Sequence, residues 1–111
     1  MLVWQRAQAA SIEVYRLLEN CRDWGFKDQI TRSTNSIADN IAEGSERPGK
    51  PEFRKFLGYA KGSAGESRSQ VYRAQALGYM SEADAVILVA ELKEISRMIH
   101  GLRNSLKDKP V

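Results

Sequence analysis

The sequence predicts an all-α protein that folds as an antiparallel, up-down-up-down four-helix bundle. Its apolar residues recur at intervals of three and four, which is the period of a helix with one buried face. No segment alternates apolar and polar residues as a half-buried strand does. The three prolines, at positions 48, 51 and 110, all lie outside the periodic segments. We expect a single domain over residues 1–111, because this length suits one hydrophobic core.

The first two helices are predicted at residues 2–20 and 26–44, each with one apolar stripe. We expect Gly44 to end the second helix, because glycine is common just after a helix C-terminus. The stripe of the first helix consists of Val3, Ala7, Ala10, Val14 and Leu17. That of the second consists of Phe26, Ile30, Ser33, Ile37 and Ile41.

The third and fourth helices are predicted at residues 51–77 and 82–106. Two prolines and a glycine at residues 48–51 separate the third helix from the second, and Leu77-Gly78 is predicted to end it. Ser81 is a suitable N-cap for the fourth helix, and residues 107–111 are predicted to form a frayed tail. The stripe of the third helix consists of Phe53, Leu57, Ala60, Ala64, Ser67, Val71, Ala74 and Gly78. That of the fourth consists of Ala85, Leu88, Leu92, Ile95, Ile99, Leu102 and Leu106.

Composition excludes several classes of protein. An apolar share of 42% and a charged share of 28% are typical of globular domains rather than disordered chains. The longest stretch without a charged residue is residues 74–81, whereas a membrane span needs about 20 apolar residues. Cys21 is the sole cysteine, so no internal disulfide is possible, and we expect a cytoplasmic protein.

Basic residues are concentrated in one part of the chain. The net charge is +3, but residues 47–73 contain seven basic and two acidic residues, which gives +5. This segment supplies candidate nucleic-acid-binding residues. Arg47, Lys50 and Arg54 combine with the free N-terminus of the third helix as a candidate phosphate site, and the alternative is a solvated basic end. The candidates are Arg47, Lys50, Arg54, Lys61, Arg68 and Arg73.

Three of these basic residues, Arg54, Lys61 and Arg68, are seven positions apart and therefore share one helix face. One interpretation is binding of a phosphate backbone. The other is ion pairing with acidic residues of the fourth helix, namely Glu82, Asp84, Glu91 or Glu94. Aromatic residues for base stacking are not interleaved with these charges in the sequence, so base-specific readout is not supported.

Three glycines, Gly58, Gly62 and Gly65, lie in the middle of the third helix. Each costs about 0.5–1 kcal/mol relative to alanine, so some other interaction must compensate. We expect close approach of a neighbouring helix, within the bundle or between subunits, and consider a ligand pressed against the backbone as the alternative.

Polar residues at the end of the second helix, Asn40, Glu43 and Arg47, share one face, and Glu66 lies among the small residues of the third. We expect a polar cluster that links these helices and fixes their packing. No motif predicts an enzyme. His100 and Cys21 lack partners at metal-binding or catalytic spacing, and no phosphate-binding glycine loop is present, so we expect no catalytic residue, metal or cofactor.

Several motifs resemble a known family. The most distinctive are Asn-Ile-Ala-Glu-Gly at residues 40–44 and Gly-Ser-x-x-Glu at residues 62–66. The others are Trp-Gln-x-Ala at 4–7, Leu-Gly-Tyr at 77–79 and Met-Ile-x-Gly-Leu at 98–102. The chain resembles the four-helix-bundle proteins encoded in intervening sequences of bacterial 23S rRNA genes. It is also similar to the accessory variability determinant of diversity-generating retroelements.

The resemblance implies a four-helix bundle that assembles into a homopentamer. It implies no known activity for the intervening-sequence branch, whereas the more strongly basic retroelement branch binds nucleic acid and a reverse transcriptase. Five copies at +3 each would carry +15, which favours multivalent binding of a polyanion. Two function hypotheses follow: sequence-nonspecific binding of RNA or DNA backbone, and a protein-interaction or assembly module, for example an accessory to a reverse transcriptase.

Overall fold

The computed structural model of the chain describes residues 1–107. Within that range it contains four α-helices and no strand, so the all-α prediction is confirmed there. The helices are α1 (Leu2–Leu17), α2 (Trp24–Glu46), α3 (Lys50–Ala76) and α4 (Glu82–Ser105). The tail predicted at residues 107–111 lies, apart from its first residue, outside the described range.

The helices form an antiparallel bundle in which chain neighbours are also neighbours in space. Helix α1 packs on α2 and α4, and α3 packs on α2 and α4. Ser36 meets Ser63 across α2 and α3, and Ser33 meets Ser67, so residue numbers run in opposite directions along the two helices. The described chain measures 53 × 21 × 19 Å, as expected when rods of similar length lie side by side.

The predicted apolar stripes form the core. Fully buried side chains from three helices, among them Ile37, Leu57 and Leu92, meet along the bundle axis. The side chains on the core face of α3 are mainly small, for example Ala60, Ala64 and Ala74. Small side chains allow close approach of helix axes, and α3 is accordingly in extensive contact with both α2 and α4.

Local capping interactions determine where the helices begin and end. Asp23 caps α2, because its Oδ1 accepts a hydrogen bond from the Phe26 N–H at 3.1 Å, and this helix begins two residues earlier than predicted. Ser81 caps α4 in the same way, as predicted, and accepts from the Asp84 N–H. After α3, Gly78 adopts a φ of 76°, which glycine tolerates and which completes the predicted stop.

Two helix ends lie two or three residues from their predicted positions. Helix α1 ends at Leu17 rather than near residue 20, and its C-cap residue Leu18 is fully buried in the core. Helix α2 continues through Gly44 to Glu46. Gly44 is buried inside the last turns of α2, against the start of α3. A Cβ atom there would lie 2.7 Å from Phe56 Cβ and 3.0 Å from Phe53 Cδ1, so this glycine permits close packing instead of ending the helix.

A line of hydroxyl groups joins α2 to α3. The buried Ser33 Oγ lies 3.0 Å from Ser67 Oγ and also hydrogen-bonds with Gln70 Oε1. One helical turn further along α2, Ser36 Oγ lies 2.9 Å from Ser63 Oγ. Within residues 1–107, every buried side-chain nitrogen and oxygen has a hydrogen-bond partner. These contacts fix the register of the two helices, because a slip along the axis would leave buried polar groups unpaired.

The shortest helix, α1, is fixed to α4 by an ion pair. Arg6 Nε donates to Glu91 Oε1 at 2.7 Å, and a second guanidinium nitrogen donates to Oε2 at 2.9 Å. Beyond this pair the two helices leave a cleft of about 410 Å³, lined in part by Ala9, Leu17 and Ile87. In the part of the chain that the structure describes, no helix is both long and apolar enough to cross a membrane.

Candidate nucleic-acid interface

The outer surface between α3 and α4 carries basic side chains from both helices. We call this surface the basic groove. Because the helices are antiparallel, the beginning of α3 faces the end of α4, and basic residues meet as three successive pairs along the groove. The pairs are Arg54 with Arg103, Lys61 with His100, and Arg68 with Lys93.

The first pair fastens the beginning of α3 to the end of α4. Arg54 Nε donates to the Arg103 backbone carbonyl at 3.3 Å, and Arg103 Nε donates to the Arg54 carbonyl at 3.2 Å. Each guanidinium thus uses one N–H on the opposite backbone, and its remaining N–H groups are additional donors. The Arg103 guanidinium lies beside Gly58, where a Cβ atom would be 3.4 Å from the nearest of its nitrogens.

The second pair joins an ammonium group to an imidazole. Lys61 Nζ lies 3.1 Å from His100 Nδ1, and His100 Nε2 lies 3.0 Å from Asn104 Nδ2. An ammonium group can only donate, so His100 Nδ1 is the acceptor in the contact with Lys61. Both side chains are exposed, which leaves the lysine charge at the surface of the groove.

The third pair borders a surface depression of about 330 Å³. Its lining includes Arg68 and Tyr72 from α3, one turn apart, and Lys93 from α4. The Tyr72 side chain is 54% exposed. The fold thus places one aromatic residue, Tyr72, in the same depression as Arg68 and Lys93.

The α3 members of the three pairs are evenly spaced along the bundle, whereas on α4 Arg103 follows His100 by only three residues. Arg54, Lys61 and Arg68 follow each other at seven residues, which is about 10.5 Å along a helix. The α4 residues Lys93 and His100 are also seven positions apart. Sequence reasoning located the α3 side of the groove and missed the α4 side. The seven-residue spacing of Lys93 and His100 could have indicated the α4 side. Only the antiparallel register of the helices shows that these residues face the basic residues of α3.

Three of the four acidic residues of α4 make contacts outside the basic groove, and the fourth, Glu82, is exposed in the first turn of the helix. Glu91 pairs with Arg6 of α1, and Glu94 pairs with Arg97 on its own helix. The Arg97 hydrogen bond lowers the pKa of Glu94, which keeps that carboxylate ionised beside the guanidinium. Asp84 lines the cleft between α1 and α4.

Within residues 1–107, no carboxylate forms a salt bridge with Arg54, Lys61 or Arg68. The ion-pairing interpretation of these three residues is therefore wrong over that range.

The other three basic candidates lie outside the groove. Arg47 pairs with Glu43 at 2.8 Å, and its guanidinium carbon lies 5.2 Å from the centre of the Phe56 ring. Lys50 is exposed in the first turn of α3. Arg73 is also exposed, but it lies about 140° around the helix from Arg68. The structure thus brings together half of the predicted basic residues and separates the remainder.

The central glycines do not mediate helix packing as expected. A Cβ atom at Gly62 or Gly65 would meet nothing within 4 Å, so no helix of the same chain approaches either position. Gly58 contacts the Arg103 side chain rather than a helix backbone. The expectation of close packing within the bundle is therefore wrong for these three positions, and Gly44 is the position that has this role. Gly65 instead lines the depression of the basic groove.

The predicted polar cluster is split into separate parts. Asn40 Nδ2 donates to Ser36 within α2, and Glu43 forms an exposed pair with Arg47. Glu66 is exposed on α3 at the edge of a shallow depression shared with α2. Helices α2 and α3 are connected by serines and Gln70, and Asn40 joins this connection through the Ser36 hydroxyl, whereas Glu43 and Glu66 take no part in it.

Comparison with known proteins agrees with this fold. The family model described as "23S rRNA-intervening sequence protein" matches residues 1–101. A crystal structure of a protein of unknown function from the S23 ribosomal protein family of Bacteroides thetaiotaomicron VPI-5482 superposes with a TM-score of 0.84. The superposition covers 91% of this chain and 97% of that one at 20% identity, which supports the fold alone. No curated protein matches the sequence. The chain belongs to the family of 23S rRNA-intervening sequence proteins.

Proposed function

We propose that this protein is a non-enzymatic module that binds the backbone of RNA or DNA through the basic groove, without marked sequence preference. The observation that carries the proposal is the alignment of Arg54, Lys61 and Arg68 with basic residues of α4, with no carboxylate of residues 1–107 bound to the three. Uncompensated cations in a row attract a polyanion and release its counterions on binding. We assign no catalytic residue, metal or cofactor, and we place the protein in the cytoplasm.

Self-association would strengthen this binding. The first half of α4 presents an exposed apolar stripe made of Ala83, Val86, Ile87 and Ala90, in which Val86 is 61% and Ile87 70% exposed. Covering such a stripe with another copy removes apolar surface from water. We propose a homopentamer, in which five basic grooves act on one nucleic acid and raise the avidity above that of a single chain.

A binding assay tests the proposed function. A labelled structured RNA is titrated with the protein at about 50 mM salt, and the titration is repeated at rising salt. We expect binding that weakens steeply with salt, and further weakening in the Arg54→Glu, Arg68→Glu double variant. Absence of any retardation or anisotropy change at low salt contradicts the proposal.

A second assay tests the assembly. Sedimentation equilibrium is expected to give five times the mass of a single chain for the wild type, and a smaller species for Val86→Asp with Ile87→Asp. A single copy at all concentrations contradicts the pentamer, but leaves binding by one groove as a separate question that the RNA titration answers.

A protein partner is the second candidate function, and a reverse transcriptase is one example of such a partner. The cleft between α1 and α4 favours it, because Ala9, Leu17 and Ile87 form a mainly apolar lining that could accept a side chain from another protein. Purification with and without nuclease distinguishes the candidates. Co-purified RNA that nuclease removes supports the basic groove, whereas a protein that stays bound after nuclease treatment supports the cleft.

A further inference from the structure

The aromatic ring of Tyr72 lies at one end of the basic groove, in a depression that cations from two helices also line. It is 54% exposed and shares the lining of the depression with Arg68 and Lys93. An exposed aromatic ring beside two phosphate-binding cations is the arrangement with which proteins hold an unpaired nucleotide, the ring on the base and the cations on the backbone. We infer that the groove binds single-stranded nucleic acid and that Tyr72 stacks on one of its bases. This inference rests on the proposed function and specifies its ligand.

The shape of the groove favours a single strand over a duplex. From Arg54 to Tyr72 the groove follows α3 for about 27 Å in a straight line. A B-form duplex completes a turn in about 34–36 Å, so each of its backbones would wind away from a straight row of cations within that length. An unpaired strand has no such constraint and can follow the row.

The exposed ring of Tyr72 gives a second reason to expect a single strand in the groove. Bases inside a duplex are covered on both faces by their neighbours, and only an unpaired base offers a face to a side chain. The floor of the depression next to Tyr72 is open, because Gly65 has no side chain and a Cβ there would meet nothing within 4 Å. A planar base beside the ring would therefore encounter little protein in that direction.

Tyr59 provides a matched control on the same helix. It is 50% exposed, comparable to Tyr72, but lies about 200° around α3 from Lys61 and therefore outside the groove. Its ring packs edge-on against Phe56 with centroids 5.6 Å apart. Removing each tyrosine in turn separates an effect of the groove from a general loss of surface aromatic residues.

The experiment measures anisotropy with a labelled oligouridylate of roughly 12 nucleotides, within the range of known single-strand sites. Oligothymidylate, an RNA duplex of equal length and an abasic DNA strand are the comparison probes. We expect the wild type to bind both single strands more tightly than the duplex. Tyr72→Ala should weaken binding of oligouridylate and oligothymidylate by about fivefold to a hundredfold, while Tyr72→Phe and Tyr59→Ala bind as the wild type does.

The abasic strand makes the assignment to stacking specific. It has phosphates but no bases, so Tyr72→Ala should not change its affinity if the ring acts on a base. Equal loss of affinity for the abasic and normal strands would show that the variant disturbs the groove, and would overturn the inference. Circular dichroism of each variant confirms that the helices remain folded.

The outcomes also separate this inference from the proposed function. Tighter binding of the duplex, or no effect of Tyr72→Ala on any probe, overturns single-strand stacking and leaves backbone binding intact. Failure of the wild type to bind any of the four probes at low salt overturns both. A difference between oligouridylate and oligothymidylate that exceeds tenfold would identify RNA or DNA as the ligand.

Discussion

Replacing Gly44 by alanine should destabilise the bundle, whereas the same change at Gly62 should stabilise it. The new methyl group at position 44 would lie 2.7 Å from Phe56 Cβ and 3.0 Å from Phe53 Cδ1, closer than Cβ atoms approach other atoms in folded proteins. Both neighbours belong to the start of α3, so relief requires the two helices to separate. Overpacking of this kind costs about 1–3 kcal/mol.

The helix propensity of alanine offsets part of that cost. Alanine is about 0.5–1 kcal/mol better than glycine inside a helix, so the net loss at Gly44 spans about 0–2.5 kcal/mol and is expected near the middle of that range. At Gly62 the methyl group meets nothing within 4 Å, and the propensity gain of about 0.5–1 kcal/mol should appear in full. For a domain of this size we expect Gly44→Ala to lower Tm by roughly 4–10 °C and Gly62→Ala to raise it by a few degrees.

Thermal and urea unfolding followed by circular dichroism measure both changes. A Gly44→Ala variant as stable as the wild type would refute the close approach of α2 and α3 at this position. Destabilisation by Gly62→Ala would show that another molecule covers this face in solution. Repeating the melts over a range of protein concentrations then shows whether a second copy is responsible, since subunit contacts make Tm depend on concentration.

The remaining predictions concern polar contacts. Asp23→Ala should destabilise the protein at neutral pH, because it removes the α2 cap and the acceptor of the Tyr79 hydroxyl, whose hydrogen bond at 2.7 Å lowers the pKa of Asp23. Because the pKa of Asp23 is lowered in the folded protein, its ionised carboxylate stabilises the fold at pH values above the ordinary aspartate pKa of about 4. This stabilisation disappears as the pH falls through the folded-state pKa. The difference in Tm between wild type and variant should therefore narrow on acidification below about pH 4. A difference that stays constant down to about pH 2 would contradict the assignment. Ser33→Ala should cost about 1–3 kcal/mol in urea unfolding, because it leaves the buried Gln70 oxygen without that hydroxyl, whereas the exposed Ser45→Ala should change stability by less than about 0.5 kcal/mol. Equal effects of the two serine variants would show that the hydroxyl contacts between α2 and α3 carry no net stability.

The periodic stripes were sufficient to predict four helices and most of the core, because burial of one face at a spacing of three and four residues is a property of each segment alone. Helix ends were less predictable, because they depend on contacts with other segments. Leu18 is the C-cap of α1 and its side chain continues the buried stripe, and Gly44 lies inside α2 at the point where the start of α3 packs against it. A glycine that ends a helix and a glycine that permits close helix packing look the same in a sequence. Only the position of α3 shows that Gly44 has the second role.

The α3 side of the basic groove was predictable from the sequence, whereas the α4 side depends on contacts between segments. Arg54, Lys61 and Arg68 reveal their common face through spacing within one helix. Their counterparts on α4, and the placement of Tyr72 in one depression with Arg68 and Lys93, depend on the register of two separate helices. The acidic residues of α4 looked equally suited to pair with α3 until the structure placed Glu91 against α1.

The dependence of RNA affinity on salt tests the basic groove most directly, measured for the wild type and two variants of equal net charge. The groove variant is Lys61→Gln with Arg68→Gln, and the control is Arg22→Gln with Arg73→Gln, whose arginines are exposed outside the groove. For a single strand, the slope of log affinity against log salt should become shallower by about 1.4 in the groove variant, which loses two phosphate contacts, and should stay unchanged in the control. Equal slopes in the two variants would mean that overall charge, and not the row of cations between α3 and α4, holds the nucleic acid.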